Sequence, residues 1–348
     1  MHANILIVGQ GLAGTLLAWE LERAGVSFQI ADLGHERAAS RVAAGIINPI
    51  TGQRIVKSWR VDTLLPLARE SYRALEKELK APVWQEMRVR RFYLDQNERR
   101  VLAEKQARGD LSEYAGATDG EGFWIEGAAR VDTAALISAA RARWLAAGRL
   151  REERVDFAAK CDQHELVIDC TGALSFGPAA GPAIEEGAGR SEFGFVPWHF
   201  SKGECLTVRT SGLAPDVVLN RKHWILPVGG GFAKVGATHV PARRDAMLTP
   251  EARAELESSA AGICRQSFEI VAHEAGVRTY VPDKKPVAGR HPENSRWGVL
   301  NGLGAKGALF APMLAREWAR HLVDRTPFDP EIDVARVWRP AKPAVSSP

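Results

Sequence analysis

The opening of the chain alternates between short apolar runs and one amphipathic segment. The run Asn4–Val8 leads into a glycine-containing turn, and an amphipathic stretch then continues to Ala24. Gly25 ends that stretch, and a second apolar run, Phe28–Ala31, is followed directly by Asp32. Two apolar runs joined by a segment of helical periodicity predict a strand, a helix and a second, parallel strand. The pattern therefore predicts a βαβ unit at the start of the chain.

Helical periodicity returns further along the chain. Asp132 is a candidate N-cap for one of these helices, and Thr249 followed by Pro250 is a good start for another. Asp and Thr side chains can accept hydrogen bonds from the N–H groups that the first helical turn leaves free. Proline suits the first helical position because it has no N–H group. The predicted helices are Val61–Lys80, Glu98–Arg108, Thr133–Gly148, Thr249–Arg265 and Ala308–Val323.

Short apolar or alternating runs between turn residues predict the strands. In the first half of the chain they alternate with helices, whereas later they follow one another, separated only by turns. That change predicts a second domain with an antiparallel sheet. The segment 177–189, rich in Gly, Ala and Pro, is predicted to be a loop or crossover. The predicted strands beyond the first unit are Arg88–Leu94, Phe123–Ile125, Glu165–Asp169, Glu204–Arg209, Val217–Asn220, Trp224–Pro227, Phe232–Gly236 and Trp297–Leu300.

The first turn, Gly9-Gln10-Gly11-Leu12-Ala13-Gly14, has the residue types that a dinucleotide-binding turn requires. Gly9 allows the tight turn, Gly11 lets a pyrophosphate approach the backbone, and Gly14 lets the helix pack on the strand. The helix N-terminus offers free N–H groups and the positive end of the helix dipole. Asp32 lies 18 residues after Gly14 and can accept hydrogen bonds from ribose hydroxyls. The motif predicts a dinucleotide and disfavours NADP, but it does not separate FAD from NAD.

Composition narrows the class of protein. The chain has 348 residues, which suggests about two domains, and its 45% hydrophobic content can form a substantial core. A net charge of +4 is too small to indicate nucleic acid by itself. No histidine or cysteine spacing suits a metal, so no metal site is predicted. No apolar stretch reaches the ~18 residues of a membrane span. The first strand begins so close to Met1 that no signal peptide is expected, and the cysteines suit a reducing, cytoplasmic setting.

Two further segments have backbones suited to a cofactor. The small-residue segment Ala39–Pro49 suits close approach to a flat ring, although an ordinary packed loop has the same composition. A second glycine-rich turn, Asn301–Gly307, follows the strand Trp297–Leu300 and enters an apolar helix. This turn repeats the strand, glycine loop and helix N-terminus of the opening unit.

These pieces, in this order, resemble the D-amino-acid oxidase/glycine oxidase family of FAD-dependent amine oxidoreductases. The FAD domain of the tRNA-modifying 5-methylaminomethyl-2-thiouridine enzyme is a near relative. The resemblance implies an α/β fold, with a Rossmann-like FAD-binding domain and a mixed, largely antiparallel substrate domain. It implies a discontinuous FAD-binding domain (1–58, 124–195 and 275–328) and a substrate domain (59–123 and 196–274). Residues 339–348, rich in proline and small polar residues, are expected to be a disordered tail.

The resemblance implies cofactor roles for matching positions. The first turn and Asp32 would hold the pyrophosphate and adenosine ribose, the segment 43–46 would lie against the isoalloxazine, and Val155 would read adenine through its backbone. The turn after the strand 165–169 and the C-terminal loop would meet the flavin. The implied FAD-binding residues are Gly9, Gly11, Leu12, Ala13, Gly14, Asp32, Ala43, Ala44, Gly45, Ile46, Val155, Thr171, Gly172, Gly302, Gly304, Ala305, Lys306 and Gly307.

Three residues are implied at the substrate. Arg278, in Gly-Val-Arg, matches the arginine that clamps the substrate carboxylate, a role that suits the guanidinium fork. Trp224 stands where glycine oxidases have a pocket-lining tyrosine, which puts a glycine-like substrate in doubt; core packing is the alternative. Lys306 stands where the tRNA-modifying relatives have arginine. It could contact the substrate or assist the reaction with oxygen, or it could point to solvent.

The activity that the resemblance implies is oxidation of the C–N bond of a small amino acid: a D-amino acid, glycine or an N-substituted glycine. Hydride would pass to flavin N5, the imine would hydrolyse, and O2 or another acceptor would take the electrons. One alternative is removal of a carboxymethyl group from a modified tRNA uridine, based on the Lys306 loop and on Arg88, Arg90 and Arg91. A non-catalytic flavin-binding protein is the other. The oligomeric state and the flavin linkage are left open.

Overall fold

The computed structural model describes residues 4–34, 38–155, 160, 163–173, 192–264 and 266–339. The predicted loop 177–189 lies outside these ranges, and so do residues 340–348 of the predicted tail. None of the described helices is long and apolar enough to cross a membrane.

The helices begin where the sequence provides caps. The Asp132 carboxylate accepts a hydrogen bond from the Ala135 N–H at 3.0 Å, and the Thr249 hydroxyl accepts one from the Ala252 N–H at 3.3 Å. These bonds satisfy N–H groups that a first helical turn leaves free. The described helices are α1 (Leu12–Arg23), α2 (Ala39–Val42), α3 (Val61–Leu79), α4 (Gln96–Ala107), α5 (Thr133–Ala146), α6 (Pro250–Ile263) and α7 (Gly307–Asp324).

The strands fall at most of the predicted apolar runs, and several are longer than predicted. In chain order, the described strands are β1 (Ile5–Val8), β2 (Phe28–Asp32), β3 (Ile46–Ile47), β4 (Ile50–Thr51), β5 (Val56–Lys57), β6 (Trp84–Phe92), β7 (Ala115–Thr118), β8 (Gly122–Val131), β9 (Leu150–Glu152), β10 (Leu166–Asp169), β11 (His199–Thr210), β12 (Val217–Asn220), β13 (Trp224–Gly229), β14 (Phe232–Gly236), β15 (Val240–Pro241), β16 (Phe268–Tyr280), β17 (Val287–Arg290) and β18 (Trp297–Asn301).

The first sheet is the Rossmann-like one. Its strand order is β17-β18-β10-β1-β2-β9, with β1 parallel to both β2 and β10 and only β17 antiparallel to its neighbour. The β1 strand is fully buried, which explains its continuous apolar run. Helices α1 and α7 pack against each other beside this sheet. Each begins directly after a strand of the sheet, so the two helix N-termini lie at its carboxyl edge.

The second sheet is mixed and largely antiparallel, as the family resemblance implies. Its main path is β15-β11-β14-β13-β12-β6-β8-β3, with β16 paired to β11 and β7 to β8. Strands β6 and β12 are parallel, and the other strand pairs of this sheet are antiparallel. The largest hydrophobic cluster contains side chains from both sheets, including Ile7, Ile30, Val89, Phe123 and Leu226. The two sheets therefore share a continuous core.

Two features of this sheet depart from the sequence prediction. The long strand β16 was not predicted, because His273, Glu274 and Gly276 interrupt its apolar alternation. Hydrogen bonds to β11 along the whole of β16 stabilise this strand, although its sequence lacks a regular apolar alternation. The division into two domains remains a proposal, but β8 and β16 cross its boundaries at 124 and 275. Pairing with β6 and β11 places both strands in the larger sheet.

Candidate active site

A cavity of about 1090 Å³ is lined by residues from both sheets. Its walls include the turns after β1 and β10, the loop before α7, and strands β11, β12, β13 and β16. All three residues predicted at the substrate line it, and so do the predicted cofactor residues Gly9, Asp32, the 43–46 segment, Val155 and Thr171. The fold thus brings residues from across the chain to one cavity.

The N-terminus of α1 forms one wall. Its N-cap, Gly11, provides no side-chain hydrogen bond, and a Cβ at Gly14 would overlap the carbonyl oxygen of Gly9. The hydroxyl of Ser40, a residue without a predicted role, accepts a hydrogen bond from the Leu12 N–H at 3.1 Å. The turn can pack tightly on β1 only because position 14 has no side chain. The other N–H groups at the start of α1 remain available to an anion.

Asp32 is held firmly at the end of β2. Its carboxylate accepts hydrogen bonds from the backbone N–H groups of Gln10 at 2.9 Å and Gly34 at 3.0 Å. The Arg141 guanidinium donates to it at 3.0 Å and also donates to Glu152 at 2.5 Å. These contacts fix the orientation of the carboxylate at the cavity edge. Arg141 was not predicted here, because it comes from α5, more than a hundred residues away.

The segment 43–46 is fixed by β8 and α5. The Val131 N–H donates to the Gly45 carbonyl at 3.0 Å, and the Thr133 hydroxyl donates to the Ala43 carbonyl at 3.4 Å. Gly45 has φ +69°, and a Cβ there would overlap the Val131 carbonyl oxygen. A side chain at position 45 therefore meets both a conformational penalty and a backbone collision.

A lysine of the larger sheet holds the same segment at its start. Lys234, on β14, donates to the Val42 carbonyl at the end of α2, at 3.2 Å. The Glu274 carboxylate lies 3.3 Å from the same ammonium group and balances its charge. Neither residue was predicted in the site, since nothing in the local sequence distinguishes Lys234 from a surface lysine.

The C-terminal glycine loop is bonded to its neighbours in the same wall. The Asn301 amide donates to the Gly172 carbonyl at 3.0 Å, and its oxygen accepts from the Gly302 N–H at 2.7 Å. The Gly304 N–H donates to the Thr279 carbonyl at 2.9 Å. These bonds join the loop to the Thr171-Gly172 turn and to β16. They place the N-terminus of α7 beside that of α1, at the same cavity.

Arg278 lies on the inner face of the larger sheet. Its guanidinium lies over Gly203 of β11, where a Cβ would overlap both terminal nitrogens. Among the described residues, its hydrogen-bond acceptor is the Thr238 carbonyl at 3.5 Å, and no carboxylate forms an ion pair with it. Burial lowers the pKa of Arg278 below its usual value. An arginine kept in this state has unused donors for an anionic ligand.

Trp224 and Cys205 complete that part of the wall. A Cβ on Gly236 would lie 2.7 Å from both the indole ring and the thiol sulfur, so the two side chains share the space over this glycine. Trp224 is partly exposed, lines the cavity and packs against the main hydrophobic cluster, and its role toward the substrate remains a proposal. Burial raises the pKa of Cys205 to about 11, so the thiol stays protonated near neutral pH.

Lys306 is the N-cap residue of α7 and is half-buried. Its ammonium donates a hydrogen bond to the Thr51 hydroxyl of β4 at 3.2 Å. Burial lowers the pKa of Lys306 below its usual value. The solvent-directed alternative does not fit this placement, because the ammonium lies against the cavity wall.

Two of the three arginines that suggested action on tRNA are bound within the protein. Arg90 binds both Asp119 carboxylate oxygens, at 2.6 and 2.7 Å, and the buried Arg91 binds Glu98 and the Gly52 carbonyl. Only Arg88 of the three is exposed. Ion pairing inside the protein leaves little of this charge for a phosphate backbone.

Comparison with known proteins decides the family. The DAO family, described as FAD dependent oxidoreductase, matches residues 4–321. The chain belongs to the DAO family of FAD-dependent oxidoreductases. A glycine oxidase from Geobacillus kaustophilus has the same fold, with a TM-score of 0.73 and 23% identity over 94% of this chain and 97% of that one. An iminodiacetate oxidase from Chelativorans sp. gives a TM-score of 0.71 at 18% identity, covering 94% of this chain and 98% of that one.

Curated relatives fall into more than one functional group. A glycine oxidase from Pseudomonas aeruginosa is 26% identical over 94% of this chain and 96% of its own length. A tRNA 5-methylaminomethyl-2-thiouridine biosynthesis bifunctional protein from Maricaulis maris is 28% identical over 93% of this chain. The chain spans about half, 52%, of the length of that relative. The comparisons therefore establish an FAD enzyme fold and leave the substrate open.

The described residues fit FAD. Two helix N-termini, at Leu12 and Gly307, line the same cavity, and neither N-cap residue forms a side-chain hydrogen bond with its helix. A carboxylate suited to ribose lies beside the first. Gly14 and Gly45 pack against the carbonyl oxygens of Gly9 and Val131, where a Cβ would collide. These features match a dinucleotide with an anionic pyrophosphate and a flat ring. The role of each residue toward FAD remains a proposal.

Lys234→Met is expected to weaken FAD binding by about tenfold, the usual contribution of one hydrogen bond from a charged group. The reason is that the Val42 carbonyl and the Glu274 carboxylate lose their shared partner, which frees the start of the 43–46 segment. Titration of apoprotein with FAD measures the dissociation constant. Lys77→Met, on the exposed surface of α3, is the control. Equal FAD affinity in both variants would show that Lys234 does not position this segment.

Proposed function

We propose that the protein oxidises the C–N bond of a small amino acid, a D-amino acid, glycine or an N-substituted glycine. The observation that carries this proposal is Arg278, a largely buried guanidinium without an ion-pair partner among the described residues, in the cavity that fits FAD. Its free donors suit a substrate carboxylate. Bound FAD supplies the acceptor for the hydride, and O2 or another acceptor would then reoxidise it.

The protein's part in this reaction is orientation. With its carboxylate on Arg278, a substrate is fixed at one end, and the ring of Trp224 limits where the other end can lie. Fixing the reacting carbon against the cofactor removes much of the entropy cost of the step. No acid–base residue needs to be supplied if the amine binds in its neutral form. The imine product would be hydrolysed after release.

The test is a substrate panel with purified holoenzyme. Glycine, sarcosine and D-amino acids are mixed anaerobically with the yellow protein, and bleaching of the flavin absorbance is followed. Bleaching by at least one of these compounds is expected, whatever the natural electron acceptor. A flavin that none of them reduces would contradict the proposal and favour a non-catalytic flavoprotein.

Gly203→Ala tests whether the position of the Arg278 guanidinium matters for substrate binding. The new methyl group would overlap the terminal nitrogens of Arg278, which can move because they end a flexible side chain. We expect kcat/KM to fall by about tenfold or more, mainly through KM, while the flavin spectrum and melting temperature stay close to those of the parent. Gly262→Ala, in α6 with open space around it, is the matched control. Unchanged kinetics in Gly203→Ala would place the substrate carboxylate elsewhere.

A further inference from the structure

Most of the buried charge around the cavity is paired within the protein. Asp32 is bound by Arg141, and the buried Arg91 is bound by Glu98. Lys222, at the rim, lies 2.7 Å from Glu255. Arg154 and Arg221 also line the cavity but are exposed, so water solvates their charges. These groups require no charge from a ligand.

Arg278 and Lys306 are different. Each lines the cavity, is partly buried, and forms no ion pair with any carboxylate in the described part of the chain. Their hydrogen-bond acceptors are neutral: the Thr238 carbonyl for Arg278 and the Thr51 hydroxyl for Lys306. A desolvated cation without an opposite charge is costly, and a ligand anion is the usual compensation.

The two cations belong to different elements, which meet where the Gly304 N–H donates to the Thr279 carbonyl. Arg278 lies on β16 over β11 in the larger sheet, whereas Lys306 begins α7 and contacts β4. One substrate carboxylate supplies a single negative charge for these two cations.

We propose that the substrate is an amino acid with two anionic groups, such as an N-carboxymethyl amino acid, one bound by Arg278 and the other by Lys306. This inference rests on the proposed function and makes it more specific. The neutral residues Asn48, Thr51 and Asn220 line the same cavity, and Thr51 contacts Lys306. Lys306 is then the residue that selects diacids over monoacids.

The test separates this charge selection from turnover. Holoenzyme is titrated with glutarate and with pentanoate, which have the same chain length and differ by one carboxylate, and binding is followed through the flavin absorbance. We expect glutarate to bind about tenfold or more tightly than pentanoate, as one additional charged hydrogen bond would give. Lys306→Met should abolish that preference, and Lys306→Arg should keep it.

Equal binding of the two acids to the parent protein would overturn the proposal. So would a Lys306→Met variant that binds both acids more weakly by the same factor, since that result would assign the lysine to the flavin or to the fold. Arg278→Met should weaken the binding of glutarate and of pentanoate by the same factor, because both acids have the carboxylate that Arg278 would bind. This variant is the comparison for Lys306→Met.

A second measurement distinguishes failure of this inference from failure of the proposed function. Anaerobic flavin reduction is compared for iminodiacetate and sarcosine, which differ by the carboxylate on the N-substituent. Faster reduction by iminodiacetate, lost in Lys306→Met, supports both proposals. Reduction by sarcosine alone overturns the diacid inference and keeps the amine oxidation. A glutarate preference without reduction by either amine contradicts the oxidation and keeps the charge selection.

Discussion

Arg278→Met is expected to lower kcat/KM for any amino acid that the protein oxidises by about two to three orders of magnitude. Loss of one partner from a buried, hydrogen-bonded charge pair costs about 2–5 kcal/mol, and each 1.36 kcal/mol corresponds to about tenfold in rate. Arg278→Lys should retain part of the activity, because an ammonium keeps the charge but not the bidentate geometry. Steady-state kinetics on the best substrate of the panel measures both effects.

The same variant has a second expected result. In the free protein the Arg278 charge is largely buried without an ion-pair partner among the described residues, so its removal should leave the melting temperature unchanged or raise it. Arg209→Met, on the paired strand β11, removes an exposed arginine bound to Glu269 at 2.9 Å and should change neither activity nor stability. If Arg278→Met loses activity and also melts at a much lower temperature, the arginine has a structural role and the clamp is not demonstrated.

Gly45→Ala is expected to abolish stable FAD binding, with purified protein that is colourless or unfolded. The position has φ +69°, and the added methyl group would overlap the Val131 carbonyl oxygen, which is backbone and cannot move alone. The segment 43–46 must then shift toward the cavity. The ratio of flavin to protein absorbance and the melting temperature report the two consequences.

The chain offers a matched control for this variant. Gly25 also has φ +69°, but a Cβ there would have no atom within 4 Å. Gly25→Ala therefore carries the same conformational penalty, about 1–2 kcal/mol, without the collision. We expect it to keep its flavin with a modest loss of stability. If the two variants behave alike, conformational strain and not the contact with Val131 explains the requirement for glycine at position 45.

The adenosine half of the site was predictable from the sequence because its parts are local. The turn 9–14, α1 and Asp32 lie within one βαβ unit, whose geometry fixes where each residue lies. The glycine loop 302–307 was predictable for the same reason, as a strand, a turn and a helix N-terminus in immediate succession. The adjacency of these two loops was implied only through the family resemblance.

The contacts that the sequence did not reveal join distant segments. Lys234 binds the Val42 carbonyl, and Lys306 binds Thr51. Gly203 makes room for Arg278 only because β11 pairs with β16. In each case one partner has no local feature that marks it as functional. Strand β16 was missed for a related reason, since long-range pairing and not alternation stabilises its polar stretch.

The sequence by itself determined that the N-terminal unit can hold a dinucleotide. Hydrophobic periodicity and glycine spacing specify a βαβ unit through interactions between residues close together in the chain. Only the tertiary structure decided which charges remain unpaired at the cavity. It paired Asp32 with Arg141 and Arg91 with Glu98, and it left Arg278 and Lys306 without carboxylate partners among the described residues. Charge compensation depends on distances across the folded protein, and residue order along the chain does not encode these directly.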